Sequence, residues 1–333
     1  MESPLIDVLR GAPAAGVPVV LTGAACAAEL AGSSLPAMRA NAAEMVRVQS
    51  AFQQASGVDW LIIYSDPYYL AEALGCRVTG GESGLDIEAP LGYEQVSGLE
   101  VTDFYAVPSC GVVLGSIELA VRQAPHLPVA VLFEGPFTTA NRVFGIERTL
   151  KELIVAPDKV VACLEVIARA LGRFAEEAKR RGASLVYMPD PMSTRDMISP
   201  NHYRRYAWTY QKAVFDAARQ AGLRSMLHVC GHTKDRWPDM LAAGADGLSL
   251  DQVVEFQELR RHVGPGPVIA GNVDPVGTML LRGPEDVAAD AARAFAAAGP
   301  DRFILMPGCG VPPGTPVENL RALVECGRSL RPR

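Results

Sequence analysis

The stretch SMLHVCGHTKDRWPDMLAAGADGLSLD (225–251) decides the fold. Its two ends, SMLHVCG (225–231) and DGLSLD (246–251), are short and mostly apolar. Strands that apolar are covered on both faces. Between them runs a helical pattern over 234–243, followed by Gly244 where a left-handed cap favours glycine. Strand, helix and strand in that order form one βαβ unit.

Outward from this unit the same alternation continues. Further strands are expected at 18–23, 59–66, 128–135, 183–190, 267–273 and 302–308. Helical patterns fall at 36–56, 141–181 (broken near Pro157), 200–221, 255–262, 284–299 and 316–330. Pro200, Pro284 and Pro316 sit where a first helical turn tolerates proline. Eight strands alternating with helices suit a single (β/α)8 TIM barrel or a doubly wound sheet, and the count of eight favours the barrel. The expected architecture is α/β, with an N-terminal extension and a hairpin insertion around 76–110 ahead of a helix near 113–123. No repeat and no linker divides the 333 residues, so residues 1–333 are read as one domain.

Composition narrows the partners. Lys+Arg 31 against Asp+Glu 37 gives 31 − 37 = −6, which offers no field for nucleic acid. No apolar run approaches the ~20 residues of a membrane span. Pro13 and Pro18 interrupt the apolar N-terminal stretch, and Glu2 and Asp7 stand where a signal peptide needs positive charge. Seven scattered cysteines, an odd number, do not make a disulfide framework. The expected location is cytoplasmic, where cysteines serve as metal ligands or buried apolar residues.

In a barrel the chemistry gathers at the carboxyl ends of the strands. The polar residues there are Asp66, Glu134, Asp190, His228, Cys230, Asp251, Asn272 and Cys309. His228 and Cys230 are two apart on one strand, so their side chains share a face, roughly 6–7 Å apart at Cα. Asp251 ends the next strand, and Cys309 lies in PGCG (307–310), where flanking glycines give the backbone freedom to aim the thiolate. His228, Cys230, Cys309 and Asp251 together form a coherent Zn2+ ligand set, with a formal charge near −1 when His228 is neutral. Set against it are the ordinary roles of such residues: a lone HxC is common, and buried free cysteine is usually packing. Cys163 and Cys326 lie in helical patterns and are read as packing. Asp190, in PDPMS, also suits plain turn chemistry, and His232 suits either a contact near the site or a helix start at the surface.

The segments LHVCGHT, GLSLDQVV, IAGNVDP and FILMPGCGVPPGTPVENL carry a family likeness. The chain resembles the methylcobamide:thiol methyltransferases of the uroporphyrinogen decarboxylase-like superfamily, most strongly over 183–330. The resemblance implies a (β/α)8 barrel with zinc held at His228, Cys230 and Cys309, and Asp251 matching a carboxylate ligand position. It also implies methyl transfer from a methylated corrinoid to a zinc-activated small thiol such as coenzyme M or homocysteine. Asp190, Glu134 and Asp66 would then orient the thiol or take its proton, and Asn272 and His232 would lie against the cofactor. An Asp-x-His-x-x-Gly corrinoid-carrying motif is absent from the sequence, so the corrinoid is expected on a separate protein or free. Uroporphyrinogen decarboxylases share the fold but carry an Arg-rich opening segment where this chain has PAMRANAAEM (36–45). The alternatives are such a decarboxylase acting on a tetrapyrrole, and a non-catalytic protein with a structural zinc site. Arg39, Arg142 and Arg195 are the candidates for an anionic acceptor tail.

Overall fold

The structure, a computed structural model, describes residues 3–14, 16–81, 84–101 and 104–331. Nine strands follow in chain order: β1 (Leu61–Ile63), β2 (Val78–Gly81), β3 (Gly84–Ile87), β4 (Val129–Leu132), β5 (Leu185–Pro189), β6 (Arg224–Val229), β7 (Gly247–Leu250), β8 (Val268–Val273) and β9 (Phe303–Pro307). Seven of them make one sheet in the order β1-β4-β5-β6-β7-β8-β9, every neighbouring pair parallel. A doubly wound sheet reverses its strand order at a switch point. This one never reverses, and the arrangement is TIM-barrel-like.

The segment expected as a first strand, 18–23, is not a regular strand. It forms one parallel bridge, Val19 to Leu305. Leu305 N–H donates to Pro18 O at 2.9 Å and Val20 N–H to Leu305 O at 3.0 Å, while on the other side Asp59 N–H reaches Val19 O at 2.9 Å. Side chains replace the rest of the ladder. Val19 N–H donates to the Asp59 carboxylate at 2.7 Å, and Trp60 Nε1 donates to Leu21 O at 2.9 Å. The two outer strands of the sheet therefore meet the same short segment.

The insertion after β1 contains the β2–β3 antiparallel hairpin and a short helix, Tyr93–Ser97. Residues 82–83 of this insertion lie outside the described residues. The expected helix near 113–123 is longer, Pro108–Gln123. The 141–181 pattern resolves into Pro136–Phe144, Ile146–Val155 and Pro157–Arg180, with breaks at Gly145 and before Pro157. Helix Pro157–Arg180 lies close against Thr209–Gln220, where a Cβ on Gly172 would stand 3.1 Å from Ala217 Cβ. All seven cysteines are free. Among the described residues no helix is long and apolar enough to cross a membrane.

Gly327, in helix Val317–Ser329, packs on the bridging segment: a Cβ there would lie 2.2 Å from Val19 Cγ2. Alanine gains roughly 1 kcal/mol of helix propensity, but overpacking of this kind costs roughly 1–3 kcal/mol. Gly327→Ala is expected to lower the urea midpoint, and an unchanged or raised midpoint would show that this contact does not constrain the fold.

Candidate metal centre

Strand periodicity carries the first two donors. His228 and Cys230 project to the same side at the end of β6. His228 is buried, its ring stacked with Tyr187 at 6.1 Å between centroids. Its Nδ1 lies 3.2 Å from Ser249 O and 3.1 Å from Ser249 Oγ. A carbonyl only accepts, so Nδ1 carries the proton and the Nε2 lone pair faces the cluster. Nε2 stands 3.1 Å from Cys230 Sγ.

Cys309 supplies the third donor from beyond β9, with its Sγ 3.9 Å from Cys230 Sγ. The donor atoms of His228, Cys230 and Cys309 all lie within 4.8 Å of one another. The glycines of PGCG do not act by turning: neither Gly308 nor Gly310 has positive φ. Gly308 is required by close approach, since a Cβ there would sit 2.3 Å from Gln252 N. The two thiols polarise each other. The hydrogen bond from Cys230 pulls the Cys309 pKa down, and the same contact pushes Cys230 up.

Asp251, expected as a further ligand, stands outside this group. Its Oδ2 accepts from Gly231 N–H at 2.8 Å and its Oδ1 from Val253 N–H at 3.1 Å. Each oxygen holds one backbone amide, which ties the loop after β6 to the loop after β7. Asn272 braces the same loop, its Nδ2 donating to Val254 O at 2.7 Å and Asp251 O at 3.1 Å. His232 is exposed and its Nδ1 lies 3.3 Å from Asp196 Oδ2.

The other carboxylates divide by environment. Asp190 is fully enclosed: its Oδ1 accepts from Thr138 N–H at 2.8 Å and Thr138 Oγ1 at 2.6 Å, its Oδ2 from Gln211 Nε2 at 2.7 Å. It anchors the start of helix Pro136–Phe144. Burial raises its pKa against those hydrogen bonds. Glu134 is buried and held by a two-pronged Arg142 pair, from Nε and from Nη2 at 2.6 Å. Burial raises its pKa, with Arg142 opposing, and its charge is felt at Cys230. Asp66 accepts from Arg39 Nη1 and Ser65 Oγ, both at 2.6 Å, while Arg39 Nη2 reaches Glu72 at 2.6 Å. Arg39 is thus engaged by two carboxylates, while Arg142 gives Nε and Nη2 to Glu134. Ser249, Thr138, Gln211 and Asn141 escape a reading of the sequence, because single polar residues carry no spacing signal.

The uroporphyrinogen decarboxylase (URO-D) family model matches residues 2–330. A methylcobamide:CoM methyltransferase of Methanosarcina mazei is 29% identical over 98% of this chain and 97% of its own length. A uroporphyrinogen decarboxylase of Nocardia farcinica is also 29% identical, over 90% of each chain. Among solved structures, a methyltransferase from Methanosarcina mazei superposes with a TM-score of 0.90 at 24% identity, covering 99% of both chains. A B12-independent methionine synthase from Shewanella reaches 0.60 at 14% identity over 86% of each. These superpositions show likeness of fold.

Arg142→Met would leave Glu134 buried without its partner, at a cost of about 2 kcal/mol near neutral pH. The Glu134 pKa, already raised by burial, would rise further in the folded variant. Stability tied to a raised carboxyl is present below the unfolded value and lost as pH rises through the folded value. The deficit against the parent protein is therefore expected to be largest near pH 7 and to shrink towards pH 5, read from urea melts; a pH-independent deficit would contradict it.

Proposed function

The chain belongs to the uroporphyrinogen decarboxylase (URO-D) family, and from that premise we propose that it is a zinc-dependent methyltransferase. It moves a methyl group from a methylated corrinoid to the sulfur of a small thiol. The observation that carries this reading is the convergence of His228 Nε2, Cys230 Sγ and Cys309 Sγ within 4.8 Å.

The donor set fits the ion. Two sulfurs about 2.3 Å from one tetrahedral zinc stand about 3.8 Å apart, close to the 3.9 Å between Cys230 and Cys309. With Asp251 occupied by backbone amides, three protein donors remain, the number found in catalytic zinc sites that keep a position for substrate. Two thiolates and a neutral imidazole balance a divalent cation, so the charge near −1 appears only when a substrate thiolate joins. Zinc held by His228, Cys230 and Cys309 would lower the pKa of an acceptor thiol and so supply a nucleophilic sulfur. Transfer would form the carbon–sulfur bond as the methyl–corrinoid bond breaks, with that bond's electron pair left on the corrinoid.

The chain's own residues prepare this step. Ser249 fixes the His228 tautomer, and Asp251 ties the Cys230 loop to the loop against which Gly308 packs. Glu134 is the group we assign to take the thiol proton, because burial raises its proton affinity and its field reaches Cys230. Asp66 and Asp190 act by holding the surrounding loops. We place the corrinoid over the strand carboxyl ends, on a separate protein or free, where Val253, Val276 and Leu281 are exposed. The chain works as one domain in the cytoplasm, where its thiols stay reduced.

Family membership alone also admits a decarboxylase. Such an enzyme must grip several carboxylates, yet Arg39 is closed on Asp66 and Glu72 and Arg142 has only Nη1 beyond its Glu134 pair, and sulfur donors would have no task. The distinguishing assay combines zinc-loaded protein, methylcobalamin and a panel of thiols, and follows loss of the methyl–cobalt absorbance. Cys309→Ala is expected to lose both stoichiometric zinc and turnover; unchanged turnover would refute the mechanism. Chelation is expected to silence transfer while circular dichroism and thermal midpoint persist, whereas unfolding on chelation would establish a structural ion.

A further inference from the structure

A cavity of about 300 Å³ is lined in part by Tyr68, Asp86, Thr138, Asn141, Arg142 and Met192, residues that lie in β3 or follow β1, β4 and β5. Backbone bonds connect its floor to the cluster strand by strand. Gly135 N–H donates to Pro189 O at 2.7 Å, and Asp190 N–H to His228 O at 2.8 Å. Two strand spacings, about 10 Å, separate the cavity side from His228.

Three features define what the cavity accepts. Asn141 is 1% exposed, and its Nδ2 donates to Phe137 O at 2.8 Å, which fixes the amide orientation. Its Oδ1 has no hydrogen-bond partner among the described residues. A buried carbonyl left unmatched is costly, so this atom calls for an N–H or O–H donor. Arg142 spends Nε and Nη2 on Glu134 and lies over the Tyr68 ring at 5.0 Å, leaving Nη1 for a ligand carboxylate. The Asp86 carboxylate is close enough to act on both Arg142 and Tyr68. Glu134, Asp86 and Arg142 together leave one net negative charge.

We infer that this cavity is the subsite for the far end of the acceptor and that it selects a thiol bearing an α-amino-acid end. The inference rests on the methyl-transfer reading above. The ligand carboxylate meets Arg142 Nη1, and its ammonium meets Asn141 Oδ1 and Asp86. A sulfonate tail would satisfy half of the guanidinium, leave Asn141 Oδ1 unmatched and face two carboxylates.

Calorimetric titration of the full chain with L-2-aminobutanoate, which keeps both charged groups and has no sulfur, tests the subsite without turnover. Butanoate is the control. L-2-Aminobutanoate is expected to bind at least about tenfold more tightly, the size of one hydrogen bond to a charged group. Asp86→Asn, at an exposed position, and Asn141→Leu should each remove about tenfold for 2-aminobutanoate without weakening butanoate. Equal binding of both ligands, or variants that weaken both alike, would overturn the inference. In the methyl-transfer assay, homocysteine should show a lower KM than 4-mercaptobutanoate or 2-mercaptoethanesulfonate. Efficient methylation of the sulfonate without any 2-aminobutanoate preference would sink the subsite and spare the methyltransferase. A 2-aminobutanoate preference in a protein that methylates no thiol would keep the subsite and remove the methyltransferase.

Discussion

Sulfur atoms 79 residues apart in the chain stand 3.9 Å from each other, and the rest of the site depends on that approach. Parallel strands laid in unbroken order could carry β6 and β9 apart as a flat ribbon. Curling brings their carboxyl ends to one mouth instead. Pro18–Val20 joins the two outer strands of the sheet, and Gly308 lets the segment after β9 pass against the backbone at Gln252. A side chain at either Gly308 or Gly327 would intrude on that closure.

Around the cluster, charge is managed by burial with partners. Arg39 lies between Asp66 and Glu72, and Arg142 forks onto Glu134. Arg236 is wholly buried and ties the loop after β5 through the carbonyls of Ser193 and Ile198, beneath the Tyr203 ring. Buried ion pairs are weak sources of net stability, because desolvation offsets most of the attraction. Their effect here is orientation. Asp190, Thr138 and Gln211 fix the helix that carries Asn141 and Arg142, so the cavity wall and the metal donors rest on one hydrogen-bonded frame.

Much of this was legible from residue order. Apolar runs of strand length alternating with helical patterns locate all seven sheet strands, and proline and glycine mark several helix limits. The first segment is the exception: PVVLTG has strand composition, yet Asp59 and Trp60 take bonds that a ladder would have used, and composition holds no record of that competition. Within the site, Asp251 is the instructive case. An aspartate at a strand end serves equally as a ligand or as a cap for backbone amides, and the choice depends on which amides the neighbouring loops bring to it.

Sequence by itself determined the chemistry available: a nitrogen and a sulfur on one face of β6, a second sulfur between glycines, and carboxylates at strand ends. Those follow from the two-residue period of a strand and from residue type, both local properties. Tertiary structure alone decided that Cys309 joins His228 and Cys230, that Asp251 and Asp190 bind backbone and side chains of the scaffold, and that Asn141 Oδ1 is left unmatched. These are distances between segments far apart in the chain, and only the packed sheet and its loops set them.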